Sequence, residues 1–333
     1  MAQATKMAFE AQQTPHILTK QFDTNLPVYQ KLSNAIKHFD PEFVYIIGRG
    51  TSDHAGVFGK YLIETEIGLP VAAAAPSVNS VFGKSLRLNR ALVIIISQSG
   101  RSPDILAQAK MAHRSGALCV ALINDEDSPL KDIADFFIPL CAGAEVAVAA
   151  TKSYLATLFA LLSIVAIHTQ NNDILQTLKV LPTNLTEVIN SPPVLTTHQL
   201  EKMDRCVVLG RAFGYAIARE IALKMKEVCG IQAEAFSSAE FLHGPISLLN
   251  REMAVINVHI PDASSSFHRA QVEEVARRGA LVYPILSVDE SIHPLAVSLL
   301  IMQRFYLDIE IAAREMGMDP DSPIGLKKVT ETL

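Results

Sequence analysis

"GRGTSDHAGVFGKYLIETEIG" (residues 48–68) can be laid on "GRAFGYAIAREIALKMKEVCG" (210–230) with a constant offset of 162, which puts Gly48, Arg49 and Gly68 on Gly210, Arg211 and Gly230. Under the same offset the apolar run "ALVIII" (91–96) falls on "MAVINV" (253–258). A slip of one residue lays "GKSLRLN" (83–89) on "GPISLLN" (244–250), and a slip the other way brings "AHRSGAL" (112–118) near "VARRGAL" (275–281). The identities are few, but the order of elements is kept throughout. Each copy reads as a strand, a Gly turn, a helix, a second strand, a polar loop and another helix. Such alternation predicts an α/β fold: two tandem units, each a parallel sheet with helices on both faces.

This places one copy over residues 41–170 and the other over 200–318. A helical segment (1–40) precedes them, and a linker (171–199, with Pro182, Pro192 and Pro193) joins them. A C-terminal tail (319–333) follows. The chain of 333 residues is 49% hydrophobic, enough for two real cores. A net charge of −5 with no basic block argues against nucleic acid as a partner. The N-terminus "MAQATKMAFEAQQTP" has no apolar core of the signal-peptide kind. The longest apolar stretch, Leu155 to Ile167, is too short to span a bilayer and reads as a buried helix. Cys119, Cys141, Cys206 and Cys229 sit in apolar settings without paired spacing, as reduced core thiols do. The expectation is a cytoplasmic protein with no membrane partner.

The two copies differ in their polar residues. In the first, "ISQSGRSPDIL" (96–106) ends a strand buried on both faces with a Ser-Gln-Ser-Gly-Arg-Ser cluster, and Pro103 to Leu106 read as the first turn of a helix. A bland loop explains this composition. So does an anion cradle, because backbone N–H groups and the positive end of a helix dipole meet there. In the second copy "SQSG" becomes "HIPD" (259–262), so the fold itself does not require the hydroxyls. The second copy carries charges instead. Glu220, Lys224 and Glu227 lie at i, i+4 and i+7, on one helical face, opposite Ile217, Ile221, Met225 and Val228. Spacing alone fits a solvated face with i,i+4 pairing equally well. His243 precedes Gly244-Pro245, which sets it in a loop. No His–His or Cys–His spacing suits a metal, so no metal or other cofactor is expected.

Taken in order, "GRGTSDHAG", "ISQSGRSPDIL", "AGAEVAVAATKSY" (142–154), "LKMKEVCGIQAEAF" and "EFLHGP" resemble the motif set of the double sugar-isomerase (SIS) domain family, above all the isomerase half of glucosamine-6-phosphate synthases. The resemblance runs from about Val44 to Leu333 and implies two tandem SIS domains of flavodoxin-like, doubly wound form. No glutaminase segment with a cysteine near residue 1 accompanies it in this sequence, so the expected counterparts are stand-alone SIS-type glucosamine-6-phosphate deaminases. Galactosamine-phosphate deaminases and fructosamine-phosphate deglycases are the alternatives, and a sugar-phosphate sensor is a further one.

The resemblance implies that Thr51, Ser52, Ser97, Gln98, Ser99 and Ser102 bind the phosphate and that Val148 touches the sugar through its backbone. It implies that Glu227 moves the proton between C2 and C1 and that His243 opens the ring. In this family the histidine is lent to the neighbouring subunit, so a homodimer is expected. Lys224 and Glu220 would orient these groups, and Lys328 is the tail lysine that meets a ketose carbonyl. Three positions depart from the synthase pattern. Arg101 replaces an acidic residue, Ala149 and Ala150 replace part of a hydroxyl-bearing stretch, and Leu242 replaces the lysine before the histidine.

Overall fold

The computed structural model describes residues 5–286, 288 and 292–328, and the chain divides into two compact units. The first comprises residues 14–145 and 152–182; the second comprises 1–13, 146–151 and 183–328, each within the described range.

The first unit holds a parallel sheet of β1 (Phe43–Ile47), β2 (Val71–Ala73), β3 (Ala91–Ser97), β4 (Leu118–Ile123) and β5 (Phe136–Pro139) in the order β2-β1-β3-β4-β5. Both faces of its central strands are buried because helices cover both sides. Tyr45 and Ile47 pack with Val93, Ile95, Ile105 and Ala109, the last two from the helix Pro103–Arg114. The alternate residue Ile46 faces the helix Thr51–Glu66, where a Cβ on Gly56 would stand 2.9 Å from its side chain. The apolar helix Lys152–Thr169 has the length and hydropathy of a membrane span, but 83% of it is buried inside the unit. Burial also sets the thiols: Cys119 is pushed up to about 12, and Cys141 is half-buried and raised for the same reason.

The second unit repeats this plan with β6 (Arg205–Gly210), β7 (Gln232–Ser237), β8 (Ala254–Val258) and β9 (Leu281–Pro284), ordered β7-β6-β8-β9. The helix Ser265–Arg277 covers one face through Val272 and Val275. The helix Phe213–Cys229 packs against the long helix Pro294–Glu315. The offset of 162 carries the strands and helices of the first copy, through β4, onto those of the second to within three residues. It fails at β5, whose counterpart falls inside the helix Pro294–Glu315.

Gly48 and Gly210 are identical for a steric reason. Each ends a strand where the following helix turns back, and a Cβ would meet the Ser52 backbone at 2.9 Å or the Gly214 carbonyl oxygen at 2.1 Å. The next turn residue is left-handed in both copies, Gly50 at φ 52° and Ala212 at φ 47°. Between the copies, most of the segment 171–199 is helix rather than irregular chain: Asn172–Asn190 is continuous, with Pro182 inside it.

Candidate functional site

The strand order of the first sheet has a topological switch between β1 and β3, whose successors leave in opposite directions. In doubly wound folds the crevice outside the carboxyl ends of such strands is where ligands bind. Ile47 lies beside Ile95 in register, so the turn 48–52 and the loop 97–102 emerge side by side. Thr51 and Ser52 open the helix Thr51–Glu66, and Ser97 to Ser102 lead into the helix Pro103–Arg114. All six hydroxyl and amide residues expected on this loop pair are half-buried.

The loop is held in shape from within. Ser97 Oγ accepts from Gly100 N–H at 2.9 Å and Ser99 Oγ from Arg101 N–H at 3.3 Å, which leaves each hydroxyl proton to donate elsewhere. The Gln98 carbonyl accepts from the N–H groups of Asn124 and Asp125, both at 3.1 Å. Gly100 has φ 61°, and a Cβ there would sit 2.1 Å from Ser128 Oγ. The N-cap Ser102 makes no side-chain capping bond.

Two charged residues beside the loop are already paired. Arg49 bonds the buried Asp104 at 2.7 Å and ties the β1 turn to the helix that follows β3. Its recurrence as Arg211 was the one sequence signal that could have found it. Arg101, which stands where the synthase pattern has an acidic residue, bonds Asp125 Oδ2 at 2.8 Å and the Asp127 carbonyl at 3.1 Å. The Arg101 hydrogen bond holds the Asp125 carboxyl below its ordinary range.

The second unit holds the ionisable residues. Lys224 Nζ bonds Glu227 Oε2 at 2.6 Å and Glu220 Oε1 at 3.3 Å. Tyr306, from the long helix, donates to Glu220 Oε1 at 3.4 Å. The stripe is therefore not a solvated face. Glu220 and Lys224 are buried with side chains 0% and 1% exposed, and only Glu227, at 24%, opens to solvent. Burial alone would push the lysine down, but the two carboxylates outweigh it and hold the ammonium above its ordinary value. The result is a carboxylate anchored by a buried cation and reachable from outside.

His243 stands exposed on the turn after the short helix Ser238–Phe241, while Leu242 packs on the apolar cluster under β6 and β8. Val148 and Lys328 come together in this unit: Lys328 Nζ donates to the Ala147 carbonyl at 2.7 Å, and Val148 N–H donates to the Asp321 carbonyl at 3.0 Å. Cys206 and Cys229 are buried with thiols pushed up to about 12. Among the described residues one group of metal-ligating side chains converges that spacing did not reveal. His113, Cys119 and Asp135 have ligand atoms within 4.8 Å of one another, at the amino end of β4 and away from the hydroxyl loop.

A duplicated doubly wound α/β chain, with a hydroxyl-lined loop in one copy and a buried carboxylate–ammonium cluster in the other, is the class that these features define. The chain matches the SIS domain over residues 39–167 and again over 199–298, and it belongs to the SIS domain family. It is 30% identical over 325 residues to the isomerizing glutamine–fructose-6-phosphate aminotransferase of Staphylococcus aureus, covering 91% of this chain and 53% of that protein. The chain thus spans about half the length of the curated relatives it matches. A solved structure from Silicibacter pomeroyi, provisionally assigned as a phosphosugar isomerase, superposes with a TM-score of 0.90 at 35% identity, covering 96% of this chain and all of that one. The glucosamine-6-phosphate deaminase of Thermotoga maritima shares the fold, with a TM-score of 0.77 at 20% identity over 98% of this chain and 100% of that one.

Proposed function

We propose that the chain is a phosphosugar enzyme of the SIS type and, specifically, a glucosamine-6-phosphate deaminase. The observation that carries this reading is Glu227, a single reachable carboxylate held by a buried ammonium at 2.6 Å. Aldose–ketose chemistry needs one base that serves two adjacent carbons. Ser97, Gln98, Ser99 and Ser102, with Thr51 and Ser52, hold the phosphate through neutral donors. Hydrogen bonds to a charged group contribute roughly 1.5–3 kcal/mol each, so several suffice without a lysine clamp.

His243 opens the pyranose. Its exposure on a turn supports delivery to a neighbouring subunit of a homodimer. Glu227 then takes the C2 proton, the electron pair moves onto the C1 carbonyl oxygen, and the proton returns at C1. This gives the C2 imine of fructose 6-phosphate. Water adds at C2 and ammonia leaves, so glucosamine 6-phosphate and water become fructose 6-phosphate and ammonia. Val148 and Lys328 hold the sugar over this exchange.

The test is ammonia release from purified protein with the 6-phosphates of glucosamine, galactosamine, fructosamine and N-acetylglucosamine. Release from glucosamine 6-phosphate with matching fructose 6-phosphate formation is the expected result. Turnover of another member of the panel instead would move the assignment to that substrate, and none at all would overturn it.

A further inference from the structure

The strip that carries Val148 is fastened by two segments remote from it in sequence, both within the second unit. Glu10, buried in the helix Lys6–Gln12, accepts from Val146 N–H at 2.5 Å and from Ala147 N–H at 3.3 Å. The next amide, Val148 N–H, is held by the Asp321 carbonyl at 3.0 Å, and the Ala147 carbonyl receives Lys328 Nζ at 2.7 Å. Asp321 also joins the two fasteners. Its carboxylate accepts from Lys6 N–H at 2.9 Å and Met7 N–H at 2.8 Å, at the start of the helix that carries Glu10.

The strip has little of its own to hold it. Ala147, Ala149 and Ala150 bear no polar side chain, so its amides depend on outside acceptors. An ionised carboxylate is the suitable group, because both of its oxygens accept and neither donates. It can therefore face two adjacent amides at once.

We propose that Glu10 is a positioning residue for the sugar-handling strip, fixing where the Val148 backbone and the Lys328 ammonium stand relative to the substrate. This rests on the deaminase reading for its kinetic consequence but not for its structural one. Glu10→Gln is the sharp probe. It keeps the size of the side chain but turns one acceptor oxygen into an NH₂ group that confronts a backbone N–H.

The direct readout is hydrogen–deuterium exchange on the full chain. In Glu10→Gln the amides of residues 146–148 should exchange at least 10-fold faster, with residues 97–102 unchanged. Unchanged protection at 146–148 overturns the proposal whatever reaction the protein runs, whereas absence of ammonia release by the wild type overturns only the deaminase reading. With turnover established, kcat/KM for the sugar should fall on the order of 10- to 100-fold, the loss of one hydrogen bond to a charged group. The inhibition constant of inorganic phosphate should stay within twofold. A fall in phosphate affinity and thermal midpoint together would show a merely structural role and overturn it. Should Glu10→Gln not fold, Asp321→Asn weakens the carboxylate's hold on the Lys6 and Met7 amides at the start of the helix that carries Glu10, and it must show the same faster exchange at residues 146–148; unchanged protection there in that variant overturns the proposal.

Discussion

Replacing Lys224 with Met removes a cation from the most buried part of the carboxylate–ammonium cluster and tests whether the cluster is built as described. Glu220 has a fully buried side chain, with Lys224 Nζ at 3.3 Å and the Tyr306 hydroxyl at 3.4 Å. Without Lys224 it loses the buried cation bonded to it at 3.3 Å. Removing one partner of a buried ion pair costs about 3–5 kcal/mol. Glu227 adds little to that sum, because at 24% exposure water can take over its solvation. The expected loss is therefore about 3 kcal/mol or more, read from urea unfolding followed by a probe in the second unit. Glu220→Gln combined with Lys224→Met removes both charges and should recover most of it. The pH dependence has a definite sign. The folded-state pKa of Lys224 lies above its ordinary value, with burial opposing and the carboxylates of Glu220 and Glu227 prevailing. Its contribution is thus complete below the ordinary lysine value and disappears as pH rises through the raised one. The wild type should lose stability in that alkaline window, and Lys224→Met should lose less. A single variant within 1 kcal/mol of wild type, or a double variant no more stable than the single, would refute the buried cluster.

Three further outcomes follow from the geometry. Glu227→Gln should lower kcat by about 10²–10⁴, the usual contribution of a positioned acid–base group, with little change in binding of glucosamine 6-phosphate; near-native turnover would leave the stripe a structural feature. Ser97→Ala together with Ser99→Ala should raise KM for the phosphorylated sugar far more than it lowers kcat, since the phosphate is held alike in ground and transition states. Equal losses in steady-state kinetics would contradict a simple cradle. Ala212→Gly should stabilise the protein by about 1 kcal/mol in thermal or urea unfolding. Ala212 sits at φ 47°, ψ −120°, a region that costs a side-chain-bearing residue about 1–3 kcal/mol, and the added chain entropy of glycine offsets part of that gain; destabilisation would show that the turn is not strained.

What the sequence disclosed follows the reach of each signal. The apolar run of β3 and the Gly-Arg turn were readable because strand burial and the strand-to-helix turn are local demands repeated at one offset. The stripe of Glu220, Lys224 and Glu227 was readable as a helical face but not as a buried one. Spacing gives the angle around a helix, whereas burial depends on what packs there, here the helix Pro294–Glu315 some eighty residues later. The segment 171–199 was read as a linker, and its prolines hid the helix within it. Pro182 removes one N–H from the ladder, but apolar residues such as Ile174, Leu178, Leu181 and Leu185 are buried along the helix and keep it continuous. Arg49–Asp104 and the Glu10 clamp carry no motif because each joins distant positions, the second through backbone amides that any residue supplies.

The duplication offers two switch-point crevices, and the second sheet shows why one is enough. At its counterpart of the hydroxyl loop, Asp262 Oδ1 accepts from Ser264 N–H at 2.8 Å and Ser264 Oγ at 2.6 Å. His259 Nε2 is engaged with Ser265 Oγ at 2.7 Å, at the start of the helix Ser265–Arg277. The place that an incoming anion would take is occupied by the chain's own carboxylate, which also repels another negative charge. Behind it His268 is buried between Ser238 Oγ at 3.0 Å and Asn257 Oδ1 at 2.8 Å. Burial first, and then His259 and Arg211, push it down to about 4, so near neutral pH it supplies no positive charge to an anion. The first copy kept an open loop of neutral donors and the second filled its own. Hydroxyls line the loop of the first copy, whereas the Phe213–Cys229 helix of the second carries the ionisable cluster, and that is the physical form of the asymmetry between hydroxyls and ionisable groups.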